Sequence, residues 1–183
     1  AGSTRWPTKC GIHEPLFIYN SMTANWVPWL AVSYKWNNDN TVLEMKTREN
    51  VFWSDGTPFS AKDVAFTTQI KKKFKALDTR NSWEYLDEVT AINDSIVQYK
   101  FNRVNVPGFD ALATQAIVPK HIWEKVEDPV KFLNPNPVGT GPFTEILRFD
   151  NQIWELGKNQ NYWQKGKPYV EKLVFPTFPS NEQ

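Results

Sequence analysis

The sequence predicts an α+β fold in which mixed β-sheets are flanked by helices. Two segments, 41–48 and 95–101, alternate apolar and polar residues with the two-residue period of a half-buried strand. Residues 61–77, which lie between these two segments, carry the clearest helical pattern of the chain. Helices packed on sheets built from such strands give an α+β architecture.

The bulk composition is that of a folded, charge-balanced chain. Its 183 residues allow one or two domains, and its 40% hydrophobic content argues against long disorder. The net charge of +1 is too small to attract polyanions, which argues against nucleic acid as a partner. No apolar run reaches the roughly 18 residues of a membrane span, no signal peptide opens the chain, and the single Cys10 excludes an intrachain disulfide.

Both predicted strands have one apolar face. The first follows an Asn-rich turn at residues 37–40 and places Leu43, Met45 and Thr47 on the same side. The second places Val97, Tyr99 and Phe101 on one side. We expect these two faces to be buried and the charged residues between them to be solvated.

The predicted helix has a recognisable start. Ser60 followed by Asp63 resembles a capping box, because the hydroxyl can accept from free helix amides and the carboxylate favours the helix N-terminus. We interpret the basic run within it as a solvated helix face. The basic residues are Lys71, Lys72, Lys73 and Lys75, and the expected buried stripe is Phe66, Ile70, Phe74 and Leu77.

The second half of the chain contains shorter elements. A short helix is predicted over 120–126, and the Asn-Pro-Asn-Pro run at 134–137 breaks the chain and marks a candidate domain boundary. Strands are predicted over 143–149, 152–156 and 170–175. Gly139 and Gly141 are expected to form a tight turn or to let another backbone segment approach closely.

The sequence contains no motif that indicates catalysis. No nucleophile motif such as G-x-S-x-G occurs, and the Gly139 segment departs from a phosphate-binding fingerprint because Pro142 follows and no helix is predicted. His121 with Glu124 has metal-ligand spacing, and His13 adjoins Glu14, but two ligands do not make a metal site. We therefore expect a protein without enzymatic activity and without a cofactor or metal.

Several segments together resemble the family 5 solute-binding proteins of ABC importers, the oligopeptide- and dipeptide-binding-like receptors. They occur in the family's order and span most of the chain from Glu14 onward. The combination is far more specific than any one of them. The matching segments are 49–64 (ENVFWSDGTPFSAKDV), 117–121 (IVPKH), 137–143 (PVGTGPF), 159–163 (NQNYW) and 166–170 (GKPYV).

The resemblance implies a lobe of a periplasmic-binding-protein-like fold whose second lobe is missing from this chain. Residues 1–19 and 136–183 would belong to the hinge-bearing lobe, and residues 20–135 would form an inserted small α/β domain. Residues 1–12 match nothing in the family securely. The implied protein is a monomer outside the cytoplasm, in the periplasm or its equivalent, and its partners are a solute and a membrane permease.

Within the family, the segments around 119–123 and 134–143 look most like members that bind β-linked oligosaccharides, such as chito- or cello-oligosaccharides. The nine Trp residues agree with this interpretation, because indoles stack on the apolar faces of sugars. Oligopeptide or dipeptide binding is the alternative within the family. A stand-alone carbohydrate-binding module and a glycosidase fragment are the alternatives outside it.

Candidate solute-binding residues are expected in irregular segments beside the matched strands. Each candidate segment couples a hydrogen-bonding side chain with an indole, as sugar hydroxyls and apolar sugar faces require. The candidates are Arg5 and Trp6 near the amino terminus, and Asn151, Gln152 and Trp154 after Gly141.

Overall fold

The computed structural model describes residues 11–176 and confirms the α+β fold. The strands form a two-stranded hairpin, a four-stranded sheet and a three-stranded sheet, with antiparallel neighbours throughout. The strands are β1 (Phe17–Asn20), β2 (Asn25–Pro28), β3 (Ala31–Trp36), β4 (Val42–Thr47), β5 (Leu86–Ala91), β6 (Ile96–Phe101), β7 (Phe143–Phe149), β8 (Ile153–Lys158) and β9 (Lys172–Pro176). The helices are α1 (Ala61–Lys73), α2 (Gly108–Ala113) and α3 (Lys120–Trp123), with 3-10 turns at Lys75–Leu77 and Ser82–Glu84.

The four-stranded sheet has the order β3-β4-β6-β5, and both alternating segments lie at its centre. Leu43 pairs with Tyr99 and Met45 with Val97 across β4 and β6, and all four side chains are buried. Asn37 stabilises the turn that leads from β3 into β4. Its side-chain oxygen accepts hydrogen bonds from the backbone amides of Thr41 and Val42. The period-two alternation therefore predicted both buried faces correctly.

Helix α1 begins where the sequence predicts and buries a different face. The Ser60 hydroxyl accepts from the Lys62 amide at 3.2 Å, and the Asp63 carboxylate accepts from the Ser60 amide at 2.9 Å, which confirms the capping box. The expected buried stripe is wrong, because Phe66, Ile70 and Phe74 are only half-buried. Small residues instead lie against β5 and β6, since they allow the helix to approach the sheet; the apolar members of this face are Ala61, Val64 and Ala65.

Predicted element ends differ from the observed ones by a few residues. Helix α1 ends at Lys73 and is followed by a 3-10 turn, whereas the pattern predicted one helix over 61–77. Helix α3 covers only Lys120–Trp123 of the predicted 120–126. No helix among residues 11–176 is long and apolar enough to cross a membrane.

The buried apolar side chains form two clusters, which we call the first core and the second core. The first core takes its fully buried residues from the span between Leu16 and Ile117, with Trp53 the largest of them. The second core contains three buried apolar residues, Ile12, Phe143 and Leu156, and lies on the β7-β8-β9 sheet. Four partly buried side chains complete it, namely Ile146, Trp154, Leu173 and Phe175.

A close backbone approach joins the amino-terminal segment to the start of β7. The Gly141 amide donates to the Ile12 carbonyl at 2.9 Å. A Cβ atom on Gly139 would overlap that same carbonyl, and a Cβ on Gly141 would overlap the carbonyl of Gly11. Of the two expectations for these glycines, the close approach of another segment is confirmed.

Candidate functional site

A groove of about 750 Å³ lies beside the end of α1. We call it the α1 groove. Its walls come from the end of α1, the turns that follow it, helix α2 with the segment after it, and the loop before the β7-β8-β9 sheet. Charged, polar and aromatic groups line it together, among them His13, Lys71, Asp78, Arg80, Gln115 and Trp123.

Lys71 places its ammonium against a buried side chain of the groove wall. Its ammonium donates to the Gln115 side-chain oxygen at 2.6 Å. Burial lowers the pKa of Lys71 to about 8, because removing an ammonium from water disfavours its charged form. The sequence interpretation of this lysine as part of a solvated helix face is therefore wrong, because helical periodicity does not show whether another chain segment covers the end of a helix.

Gln115 is fixed by further hydrogen bonds behind it. Its side-chain nitrogen donates to the Thr68 hydroxyl at 2.9 Å, and that hydroxyl donates to the Val64 carbonyl at 3.3 Å. Both Gln115 and Thr68 are buried. The chain of bonds therefore sets the amide orientation of Gln115 and presents its oxygen, not its nitrogen, to Lys71.

The other charged groups of the groove are engaged by protein partners. The Asp78 carboxylate accepts from the Ser82 hydroxyl and, at 3.0 Å, from the Trp83 amide. Arg80 forms an ion pair with Asp110. Among residues 11–176 no carboxylate lies within ion-pair distance of Lys71, although Asp78 contributes a longer-range attraction.

His13 closes one end of the groove as a neutral side chain. It is buried, and burial lowers its pKa to about 4, so it carries no charge at pH 7. Its Nδ1 atom is buried and has no hydrogen-bond partner among the described residues. The groove wall therefore contains the ammonium of Lys71, a buried neutral imidazole and two aromatic side chains, Trp123 and Phe132, packed edge to face.

Glu14, next to His13, has a different role. Its carboxylate is buried and accepts from the Trp29 indole at 2.7 Å, the Tyr162 hydroxyl at 3.0 Å and the Trp163 indole at 2.9 Å. Burial raises the pKa of Glu14, and these hydrogen bonds oppose the rise. The Arg48 guanidinium lies over the Trp163 ring, 4.7 Å from its centroid. This carboxylate joins chain segments rather than facing a ligand.

The family of the chain follows from a comparison with known sequences. The family described as "Bacterial extracellular solute-binding proteins, family 5 Middle" matches residues 25–183, which is most of the chain. The chain belongs to this family. The resemblance carried by its sequence segments is thereby confirmed at the level of the family.

Two relatives of this family 5 protein are named after different ligands, an oligopeptide and nickel. The chain is 29% identical over 82% of its length to the oligopeptide-binding protein AppA of Bacillus subtilis. It is 27% identical over 97% of its length to the nickel-binding periplasmic protein of Escherichia coli. It spans 28% and 37% of the lengths of these two relatives.

A solved structure agrees with the fold of this family 5 chain. It is the mannohexaose-bound periplasmic oligopeptide-binding protein of an oligopeptide ABC transporter from Thermotoga maritima, at 29% identity and a TM-score of 0.89. The match covers 98% of this chain and 35% of that protein. The architecture is therefore that of a lobe of a periplasmic binding protein.

None of the candidate residues that the structure describes lines the α1 groove of this family 5 chain. Arg5 and Trp6 fall outside the described residues. Asn151 and Gln152 occupy the exposed turn between β7 and β8. Trp154 packs in the second core, with ring centroids 5.1 Å from Phe149 and 6.5 Å from Phe175.

His121 has a side-chain partner outside its own helix. His121 Nε2 lies 2.8 Å from the Asp55 carboxylate, which ties α3 to the turn before α1. No group of three or more His, Cys, Asp or Glu residues among residues 11–176 is arranged to hold a metal ion. The spacing of His121 and Glu124 could not reveal this partner, because Asp55 lies 66 positions away in the sequence.

Proposed function

We propose that this chain is part of the solute-binding component of an ABC importer, working outside the cytoplasm and delivering its solute to a membrane permease. The observation that carries the proposal is the family match over residues 25–183. In this role the protein binds its solute without covalent chemistry. Release follows when the permease favours the open state of the receptor, which is a population shift between two conformations.

Peptides are the proposed solutes. The name of the Bacillus subtilis relative supports this choice, and so does the α1 groove, in which charged and aromatic groups converge as a peptide site requires. Oligosaccharides are the second candidate. The mannohexaose in the Thermotoga maritima structure favours them, whereas nothing further supports chito- or cello-oligosaccharides in particular.

We further propose that residues 1–19 and 136–183 contribute to one lobe and that residues 20–135 form an inserted domain. The two cores support this division, because the second core draws on Ile12 and on the span from Phe143 to Phe175. The chain spans about a third of the length of the matched Thermotoga maritima protein. The opposing lobe would then come from sequence that this chain does not contain.

The function is tested by titrating the full protein encoded by the gene with candidate solutes in a calorimeter. Tri- to pentapeptides should bind, and mannohexaose, chito-oligosaccharides, cello-oligosaccharides and Ni²⁺ should bind far more weakly. Tight binding of a sugar would show that the solute is an oligosaccharide and not a peptide. Binding of a sugar by the 183-residue chain alone, as tightly as by the full protein, would favour a carbohydrate-binding module, and sugar cleavage would favour a glycosidase.

The residues predicted from the sequence are tested in the same titration. Trp6→Ala and Asn151→Ala should each lower solute affinity if the segments near the amino terminus and the β7-β8 turn face the solute. Gln160, an exposed residue outside both segments, provides the control as Gln160→Ala. Unchanged affinity in both variants would remove Trp6 and Asn151 from the site.

A further inference from the structure

We propose that Lys71 anchors a carboxylate group of the bound solute in the α1 groove. The proposal rests on the proposed function, since it names the chemistry that the solute must carry. An acidic side chain or a free carboxyl terminus of a peptide would supply the same group, and the experiment below separates the two sources.

Among residues 11–176, the charges that line the groove leave Lys71 without a negative partner within ion-pair distance. Asp78 accepts from Ser82 and Trp83, and Arg80 is paired with Asp110. Lys71 has one neutral acceptor, the Gln115 oxygen. An ammonium has three donor hydrogens, so two remain for a ligand in the groove.

The protein also fixes this ammonium in place. The Gln115 side chain is itself held by Thr68, so the acceptor of Lys71 cannot rotate without breaking a buried hydrogen bond. A half-buried cation with a single neutral partner costs free energy in the unliganded protein. A carboxylate that enters the groove would offset this cost, because charge-assisted hydrogen bonds are roughly twice as strong as neutral ones.

Positions nearby in sequence show that this arrangement is particular to Lys71. The Lys72 ammonium lies over the Trp83 ring and donates to the Asp87 carbonyl at the surface. Lys75 is exposed and does not line the groove. Lys75 therefore provides a matched control, because it has the same chemistry a single turn away.

The experiment measures peptide affinity in the full protein for the wild type, Lys71→Met and Lys75→Met. Four peptides are compared. One sequence contains an acidic side chain and the other does not, and each is made both as a free acid and as a carboxyl-terminal amide. We expect Lys71→Met to weaken binding of one carboxylate-bearing class by about tenfold or more, the range for a hydrogen bond to a charged group. Lys75→Met should leave all affinities unchanged.

The pattern within the set identifies the source of the carboxylate. If only free acids lose affinity in Lys71→Met, the carboxyl terminus is bound; if only acidic side chains matter, the side chain is bound. Lys71→Arg, which keeps the charge, should restore part of the preference. Circular dichroism and the midpoint of thermal unfolding of each variant confirm that the fold is retained.

Two results would overturn the proposal and are distinct from each other. Equal loss for charged and neutral peptides, or no loss, would show that Lys71 does not bind a carboxylate while peptide capture itself stands. Absence of binding for all four peptides in the wild type would reject peptide capture and the carboxylate anchor together.

Discussion

The two cores bury the apolar faces of their sheets in different ways. The first core lies between the β3-β4-β6-β5 sheet and helix α1, and side chains from Leu16 to Ile117 close it. The second core buries only three apolar side chains on its three-stranded sheet, and one of them, Ile12, comes from a distant part of the chain. From the carboxyl-terminal part of the chain the first core receives only the partly buried Val138 and Trp163, whereas the second core depends on the glycine contact that holds Ile12 in place.

Gly141→Val tests that dependence and should have the largest effect. The valine side chain would collide with the Gly11 carbonyl and would lie 2.8 Å from the Ile12 carbonyl, and backbone atoms cannot move aside as a flexible side chain can. We expect a loss of at least about 4 kcal/mol in the free energy of unfolding, which is in the exceptional range for one substitution. Chemical denaturation followed by intrinsic fluorescence measures it.

Gly56→Ala is the control for this prediction. Gly56 has a φ of +86° with no atom within 4 Å of an added Cβ, so alanine introduces only backbone strain. The expected cost is about 1 to 2 kcal/mol. Equal destabilisation by the two substitutions would show that the close approach of Gly141 does not control the second core.

Leucine truncation sharpens the comparison between the cores. Leu43 in the first core and Leu156 in the second are both completely buried. Leu43→Ala should cost about 4 kcal/mol and Leu156→Ala about 2 kcal/mol, because the more open sheet of the second core can collapse around the cavity. A larger loss for Leu156→Ala in urea denaturation would reverse our ranking of the two cores.

Ser60→Ala should have the smallest effect, about 1 kcal/mol, the usual cost of removing an N-cap. The substitution removes the acceptor of the Lys62 amide and leaves the bond from the Ser60 amide to Asp63 intact. Thermal unfolding measures the loss, and solute affinity in the full protein should not change. Weaker solute binding at unchanged stability would place this segment in the binding site.

Local patterns in the sequence predicted the features that depend on nearby residues. The alternation of Leu43 and Met45 with charged neighbours is a property of a single strand, and the spacing of Ser60 and Asp63 is a property of one helix turn. Each needs only the backbone geometry of its own element. For this reason the sequence predicted the buried faces of β4 and β6 and the start of α1 correctly.

Features that depend on distant segments could not be predicted in this way. Lys71 meets Gln115 across 44 positions, and no local pattern distinguishes it from Lys72 or Lys73. The half-buried state of Phe66 likewise depends on which residues of α1 face the sheet. The α1 groove was missed because its walls combine segments from His13 to Asn134, none of which carries a motif.

The hydrogen bonds of Glu14 have a consequence for the order of events during synthesis. The carboxylate accepts from Trp29, 15 positions later, and from Tyr162, 148 positions later. At about 5 to 20 residues per second, a ribosome needs roughly 7 to 30 s to add the residues between Glu14 and Tyr162. Throughout that interval the carboxylate lacks at least two of its three donors, so the hydrogen bonds that join the amino-terminal segment to residues 162 and 163 can form only after those residues have been made.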